Sequence, residues 1–177
     1  MDKLDVITFE SWDSEISDDD LHIMQVQYLK GDLQFGIRTA DDKWTTYSRP
    51  ASTSLPSDLR ILLFNVTNES VYVVDFDGVS AFRVLDEHGL LEIWNAGERP
   101  NRSLFRVGGH SWTKESELSF FMSGQTYSWM IATGNDCVEV ISFNTPHISF
   151  LEKIVGEVGE VPAHPDFGAI LTSKPRG

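Results

Sequence analysis

"LRILLFNVTNESVYVVDF" runs from Leu59 to Phe76. Two runs dense in β-branched, leucine and aromatic residues, "LRILLFNV" and "VYVVDF", flank "TNES" (Thr67–Ser70), four residues that suit a turn. A connector this short can return the chain only as an antiparallel neighbour, because a parallel crossover needs a dozen residues or more.

The same pattern repeats outward. Downstream, Phe82 and Val84 precede "DEHG" and "LLEIW" follows it, which reads as a hairpin around Glu87 to Gly89. "NAGERPNRS" reads as a surface loop, "SLFRV" as a strand and "GGH" as its break. "YSWMIATGNDCVEVISF" (Tyr127–Phe143) reads as two strands around "TGND", and "NTPHISFLEKIVGEV" as the segment that closes the sheet. Upstream, "LDVITFESW" has period-two character. In "LHIMQVQYLKGDLQFGIRT", Ile23, Gln25 and Gln27 alternate with Met24, Val26 and Tyr28; Leu33, Phe35 and Ile37 alternate with Gln34, Gly36 and Arg38. That predicts a hairpin turning at Lys30 to Asp32, with "ADDK" as the next turn into "WTTYS". "RPASTSLPSD" (49–58) reads as a loop.

"SWTKESELSFFMSG" (Ser111–Gly124) is the best helix candidate. Ser111 or Thr113 suits its cap, Glu115 and Glu117 its first turn and Gly124 its stop, and Leu118, Phe121 and Met122 would share a face. A strand at "LSFFM" is the alternative. The expected fold is a β-rich α+β domain of about ten strands. It is mainly antiparallel, a curled sheet or sandwich-like, with one or two short helices. Residues 1–177 fit a single domain long enough to bury a core, with 162–177 too poorly patterned to pack tightly.

The chain is 41% hydrophobic and 11% aromatic, which argues for a folded globule. One cysteine, Cys137, permits no intrachain disulfide and suits a reducing cytosol. The N-terminus lacks an apolar run of signal-peptide length, and no stretch approaches the roughly 18 apolar residues of a membrane span. A cytoplasmic location is therefore expected, and the sequons at Asn65, Asn68 and Asn101 read as chance matches.

Chemical motifs are sparse. His22, His88, His110, His147 and His164 never fall within five residues of one another, so no zinc site shows by spacing. "DFDG" (75–78) imitates the start of a calcium loop, but "VSAFRVLD" follows it where further ligands belong, so a solvated turn is the better reading. Cys137 and His147 form a dyad only on paper, and a lone cysteine in a β domain is more often a small apolar filler. There is no G-x-S-x-G, and Gly108–Gly109 lacks the lysine of a phosphate loop. The reading is a protein with no catalytic residues, metal or cofactor of its own.

Charge is the strongest lead. The net charge is −13, and residues 1–20 hold eight acids against Lys3 alone. Polyanions, whether nucleic acid or anionic membrane, are poor partners for such a surface, and a basic protein is a natural one. "SWDSEISDDD" (Ser11–Asp20) concentrates the charge in Asp13, Glu15, Asp18, Asp19 and Asp20, directly after Trp12. These six residues are the candidate partner-binding site, with Trp12 as an aromatic anchor. The bland reading sets Trp12 at a strand end beneath a solvated acidic loop.

"FRVLDEHGLLEIW", "YSWMIATGNDCVEVISF" and the small, acidic, β-rich profile of the whole chain resemble the immunity proteins that bacteria carry beside polymorphic toxins, including those of contact-dependent growth inhibition. The likeness is one of profile and assigns no binding residue. It implies tight stoichiometric binding of a toxin domain, often a basic nuclease, that blocks its active site or a surface it needs. The competing classes are an enzyme whose site is assembled from separated residues, and a β-sheet ligand-binding or assembly domain.

Overall fold

The strands of the quoted stretch are buried almost without interruption, and this decides the architecture. The computed structural model describes residues 6–28, 33–38, 43–49 and 58–154. Among them are eleven strands: β1 (Thr8–Ser11), β2 (Leu21–Tyr28), β3 (Leu33–Arg38), β4 (Trp44–Arg49), β5 (Leu59–Asn65), β6 (Ser70–Phe76), β7 (Val79–Asp86), β8 (Leu104–Gly108), β9 (Ser128–Ala132), β10 (Asp136–Ser142) and β11 (His147–Lys153). Three short helices join them: α1 (Leu91–Trp94), α2 (Ser111–Glu115) and α3 (Glu117–Ser123). The strands form a five-stranded sheet ordered β1-β8-β9-β10-β7, a four-stranded sheet ordered β11-β6-β5-β2, and the β3-β4 pair. All pairings are antiparallel. This is the β-rich, sandwich-like α+β fold expected from the short connectors.

The main core joins the two larger sheets. Ile23, Ile61, Leu63, Val74 and Phe76 of one meet Leu104, Trp129, Ile131, Val138 and Val140 of the other. The outer face of the four-stranded sheet carries Leu62, Phe64, Val71 and Val73, which pack with Phe35 of β3 and Ile154. The outer face of the five-stranded sheet is covered by Leu90 and Ile93 near α1, and by Trp112 and Phe120 of α2 and α3. With both faces covered, β5, β6, β9 and β10 become continuous apolar runs instead of alternating ones.

Several local expectations are corrected. β2 and β3 do not pair with each other; β2 pairs with β5, and β3 with β4, while residues 29–32 lie outside the described residues. The alternation along β2 also breaks, because a bulge falls between Ile23 and Gln25. Ile23 and Val26 therefore face the same core, and Met24 the other. No strand follows "DEHG": β7 runs into a 3-10 turn (Glu87–Leu90) and then α1. The Asp86 carboxylate accepts the His88 N–H at 2.8 Å, and Leu90 and Ile93, one turn apart, bury together on the sheet.

The Ser111–Gly124 segment is helical, but it breaks at Ser116 into α2 and α3. Neither Ser111 nor Thr113 caps it; His110 is the N-cap, and the Ser111 N–H is satisfied by Glu92 of α1, both of whose carboxylate oxygens lie at 3.0 Å. Gly124 ends α3 in the left-handed region, φ 65°. Leu118, Phe121 and Met122 do share a face, and it points outward. "DFDG" is not simply a solvated turn, because Asp75 lies in β6 and pairs with Arg60 at 2.7 Å. The tail 162–177 lies outside the described residues. No helix among the described residues is long and apolar enough to cross a membrane.

Candidate partner-binding face

The acidic stretch is the link between β1, on the edge of one sheet, and β2, on the edge of the other. It therefore closes one end of the sandwich, and its residues divide by burial. Trp12 is 5% exposed and Ile16 is fully buried, both within the main core. The Trp12 indole meets Trp129 edge-on at 4.9 Å and Phe76 at 6.1 Å. This placement overturns its role as a surface anchor: Trp12 is the plug on which the loop sits. Large apolar side chains at positions 12 and 16 hold the loop down from inside, while Asp13, Glu15, Asp18 and Asp20 face solvent.

Backbone and hydroxyl contacts set the loop's shape. The Ser17 hydroxyl donates to the Trp12 carbonyl at 2.5 Å and accepts the Ser14 N–H at 2.9 Å. From the β8 side, the Ser103 N–H donates to the Ser17 carbonyl at 2.9 Å, and the Ser103 hydroxyl to the Asp19 carbonyl at 2.6 Å. Asp19 differs from its neighbours: its half-buried carboxylate accepts from the amide of Asn65, itself fully buried, at 2.6 Å. Asp19 thus ties the loop to the end of β5.

Two arginines from the "NAGERPNRS" loop stand beside the acids. Arg102 lies 3.4 Å from Asp13 and 3.0 Å from Asp18. Arg99 stacks over the Trp94 ring at 4.1 Å. Together with Asp18, Asp19, Asp20 and Thr133, both line an open cleft of about 330 Å³. The Arg102 pairs are water-exposed, and such pairs are worth about 0–1 kcal/mol each. Arg102 therefore offsets part of the charge without removing the carboxylates from solvent. These arginines carried no motif; only adjacency in the fold reveals them.

A second polar cluster lies under the helices. Glu139 of β10 is 1% exposed in the middle of an otherwise apolar strand. Its carboxylate accepts from Arg83 Nε at 2.7 Å, from His110 Nε2 at 2.7 Å and from the Ser128 hydroxyl. Trp112 covers the Arg83 guanidinium at 4.5 Å. Serine, histidine and acid meet here, yet the arrangement is not a nucleophile relay. A relay uses opposite ring nitrogens for the acid and the serine. Here Nε2 faces both, Nδ1 has no hydrogen-bond partner, and all three residues are buried from substrate. The cluster braces α2 on the sheet. Its signal in the sequence was the lone glutamate in "CVEVIS" opposite the lone arginine in "FRV".

Glu92 extends this cluster toward the surface. Burial alone would raise its pKa, but hydrogen bonds from Ser111 and the positive potential of His110 and Arg83 outweigh that and hold the carboxyl below its ordinary range. Cys137 is buried among Leu90, Ile93, Phe105 and Met130, the environment of a small apolar filler. His147 begins β11 on the other sheet and is exposed, so the two do not share a sheet.

Comparison with protein-family models, with curated proteins and with solved structures finds no match to this chain.

Proposed function

We propose that this chain is a stoichiometric binding protein of the bacterial toxin-immunity kind, which captures a basic toxin domain through the loop between β1 and β2. One observation carries the reading: Asp13, Glu15, Asp18 and Asp20 face solvent on a loop fixed from beneath by Trp12, Ile16 and Ser17. Charges already held in place lose little conformational entropy on binding, and a concentrated negative field speeds encounter with a cation by roughly ten- to a thousandfold at low salt. The net charge of −13 acts in the same direction. The buried Ser128–His110–Glu139 cluster gives the enzyme alternative no accessible nucleophile.

Co-expression with the product of the neighbouring reading frame tests the proposal. A one-to-one complex on gel filtration, with the toxicity of that product suppressed, supports it. Turnover of a small substrate by the purified chain, with no complex formed, sinks it in favour of an enzyme.

A further inference from the structure

The two larger sheets have four edge strands, and the chain protects three of them. An edge strand exposes a row of N–H and C=O groups that pairs readily with another extended chain, so edges are kept short, bulged or charged. β1 is only four residues long and carries Glu10. β2 is interrupted by its bulge between Ile23 and Gln25, and β11 by one between Phe150 and Glu152, with Lys153 at its end. β7 differs. Its register with β10 shifts only before Ala81, so Ala81 to Asp86 run without interruption beside Ile141 to Asp136. This stretch holds no lysine, proline or glycine. Among the described residues, no group bonds to the main chain of Ala81–Leu85 on the side away from β10.

The edge is apolar on both faces of the sheet. Alternation puts Phe82 and Val84 on the inner face, and Ala81, Arg83 and Leu85 on the outer one. Val84 is 36% exposed, and Tyr28 of β2, 52% exposed, stacks on Phe82 at 5.4 Å.

Charge selects the occupant. The chain carries −13, so two copies repel wherever their carboxylates meet. Between Ala81 and Leu85 the one charged side chain is Arg83, and Glu139 neutralises it within the same molecule. A basic strand from another protein finds no free carboxylate along this stretch to hold it. Two β7 strands, by contrast, are self-complementary when they run antiparallel about a two-fold axis at Arg83. Phe82 of one copy would then stand opposite Val84 of the other, and Ala81 opposite Leu85. Asp86 would fall opposite Ser80 and not opposite a second acid. Arg83 would meet its equivalent with each guanidinium already held by its own Glu139.

We propose that β7 is a homodimerisation edge, through which a second copy of this chain joins the two five-stranded sheets into one continuous sheet. The pairing uses no residue of the acidic loop.

Sedimentation velocity from micromolar to millimolar protein tests the pairing, with backbone hydrogen exchange measured at both ends of that range. The wild type passes from monomer to dimer, and alternate amides between Ala81 and Leu85 gain about tenfold or more protection at high concentration. Added salt tightens the dimer, because it screens the repulsion between two acidic chains and leaves main-chain pairing intact; self-association through the acidic loop would weaken instead. Val84→Lys, a charge at an exposed edge position, keeps the wild-type melting temperature and weakens dimerisation about tenfold or more. Phe121→Lys on α3 is the control and leaves the dimer intact. A chain that stays monomeric at millimolar concentration overturns the proposal. So does a dimer that survives Val84→Lys, one that gains no protection in β7, or one lost in Phe121→Lys, which would place the contact on α3. Growth beyond the dimer also overturns it, because a two-fold pairing of a single edge closes on itself.

Discussion

Arg83 and Glu139 stand directly opposite each other on β7 and β10, with Arg83 Nε 2.7 Å from a Glu139 carboxylate oxygen. Arg83 is 24% exposed and Glu139 is 1% exposed, so removing one charge strands the other in a poorly solvated place. Breaking such a pair costs about 3–5 kcal/mol, and Arg83's partial access to water sets the lower end. Glu139→Gln is expected to lower unfolding free energy by about 3 kcal/mol in urea titration. The double variant Arg83→Met with Glu139→Gln should lose less than the sum of its two single variants, because it leaves no buried charge unpaired and the glutamine carbonyl still accepts from His110 and Ser128. A double variant that loses the sum of both singles would show that the pair carries no coupling.

Glu92 supplies a pH dependence. Its folded pKa is lowered, so the unfolded chain binds more protons as pH falls. The stability it contributes is present above the ordinary carboxylate pKa, about 4.3, and is lost as pH drops through the lowered folded value. Glu92→Gln should therefore destabilise the protein near neutrality and flatten the acid limb of stability against pH. An acid limb of unchanged slope would show that the Ser111 contacts do not hold the charged form.

Gly109 has φ 75°, and an added Cβ would lie 2.4 Å from the Val6 carbonyl oxygen. Both the backbone conformation and the close approach of the chain before β1 require glycine. Gly109→Ala should cost more than about 1 kcal/mol by thermal or urea unfolding. Gly124→Ala, strained by its φ of 65° but in open space, should cost less.

The hairpins that were legible, such as β5–β6 and β9–β10, join apolar runs through turns of a few polar residues, where sequence distance is spatial distance. "LLEIW" was misread because apolar residues spaced three apart in a short run suit a strand or a helical turn equally. In the fold β7 stays at the edge of its sheet, and the segment after it turns onto the sheet's outer face, where Leu90 and Ile93 bury against Phe105, Met130 and Cys137. The partnering of β2 with β5 is likewise set by sheet packing across nearly forty residues, which no local pattern encodes. In the candidate site, the acids were visible as composition. The inward turn of Trp12 and the arrival of Arg99 and Arg102 depend on the fold.

The loop's frame and its charges should separate under mutation. Ile16 is fully buried in the main core, so Ile16→Ala should cost about 2–5 kcal/mol. Asp20→Asn alters an exposed side chain and should stay within about 0.5 kcal/mol. Urea unfolding of both variants checks the division. A similar loss in both would mean that the carboxylates are part of the loop's structure and not free for a partner.

The acids themselves are tested by rates. Asp19 is excluded, because Asn in its place would disturb the bond to the buried Asn65. Asp13, Asp18 and Asp20 changed together to Asn remove three carboxylates and leave Arg102 without its two counter-charges. Binding to the basic partner is then expected to begin about tenfold more slowly or worse at low salt, with dissociation little changed. The difference should vanish near 1 M salt, where the screening length is about 3 Å. Surface plasmon resonance at the two salt concentrations measures this. If dissociation accelerates instead, with a loss of about 2–5 kcal/mol, one of these carboxylates is buried against a partner cation and the loop is the centre of the interface, not its rim. Identical rates at both salt concentrations would leave the loop as a solvated cover over Trp12 and Ile16, and the proposed interface would have to lie on another face of the sandwich.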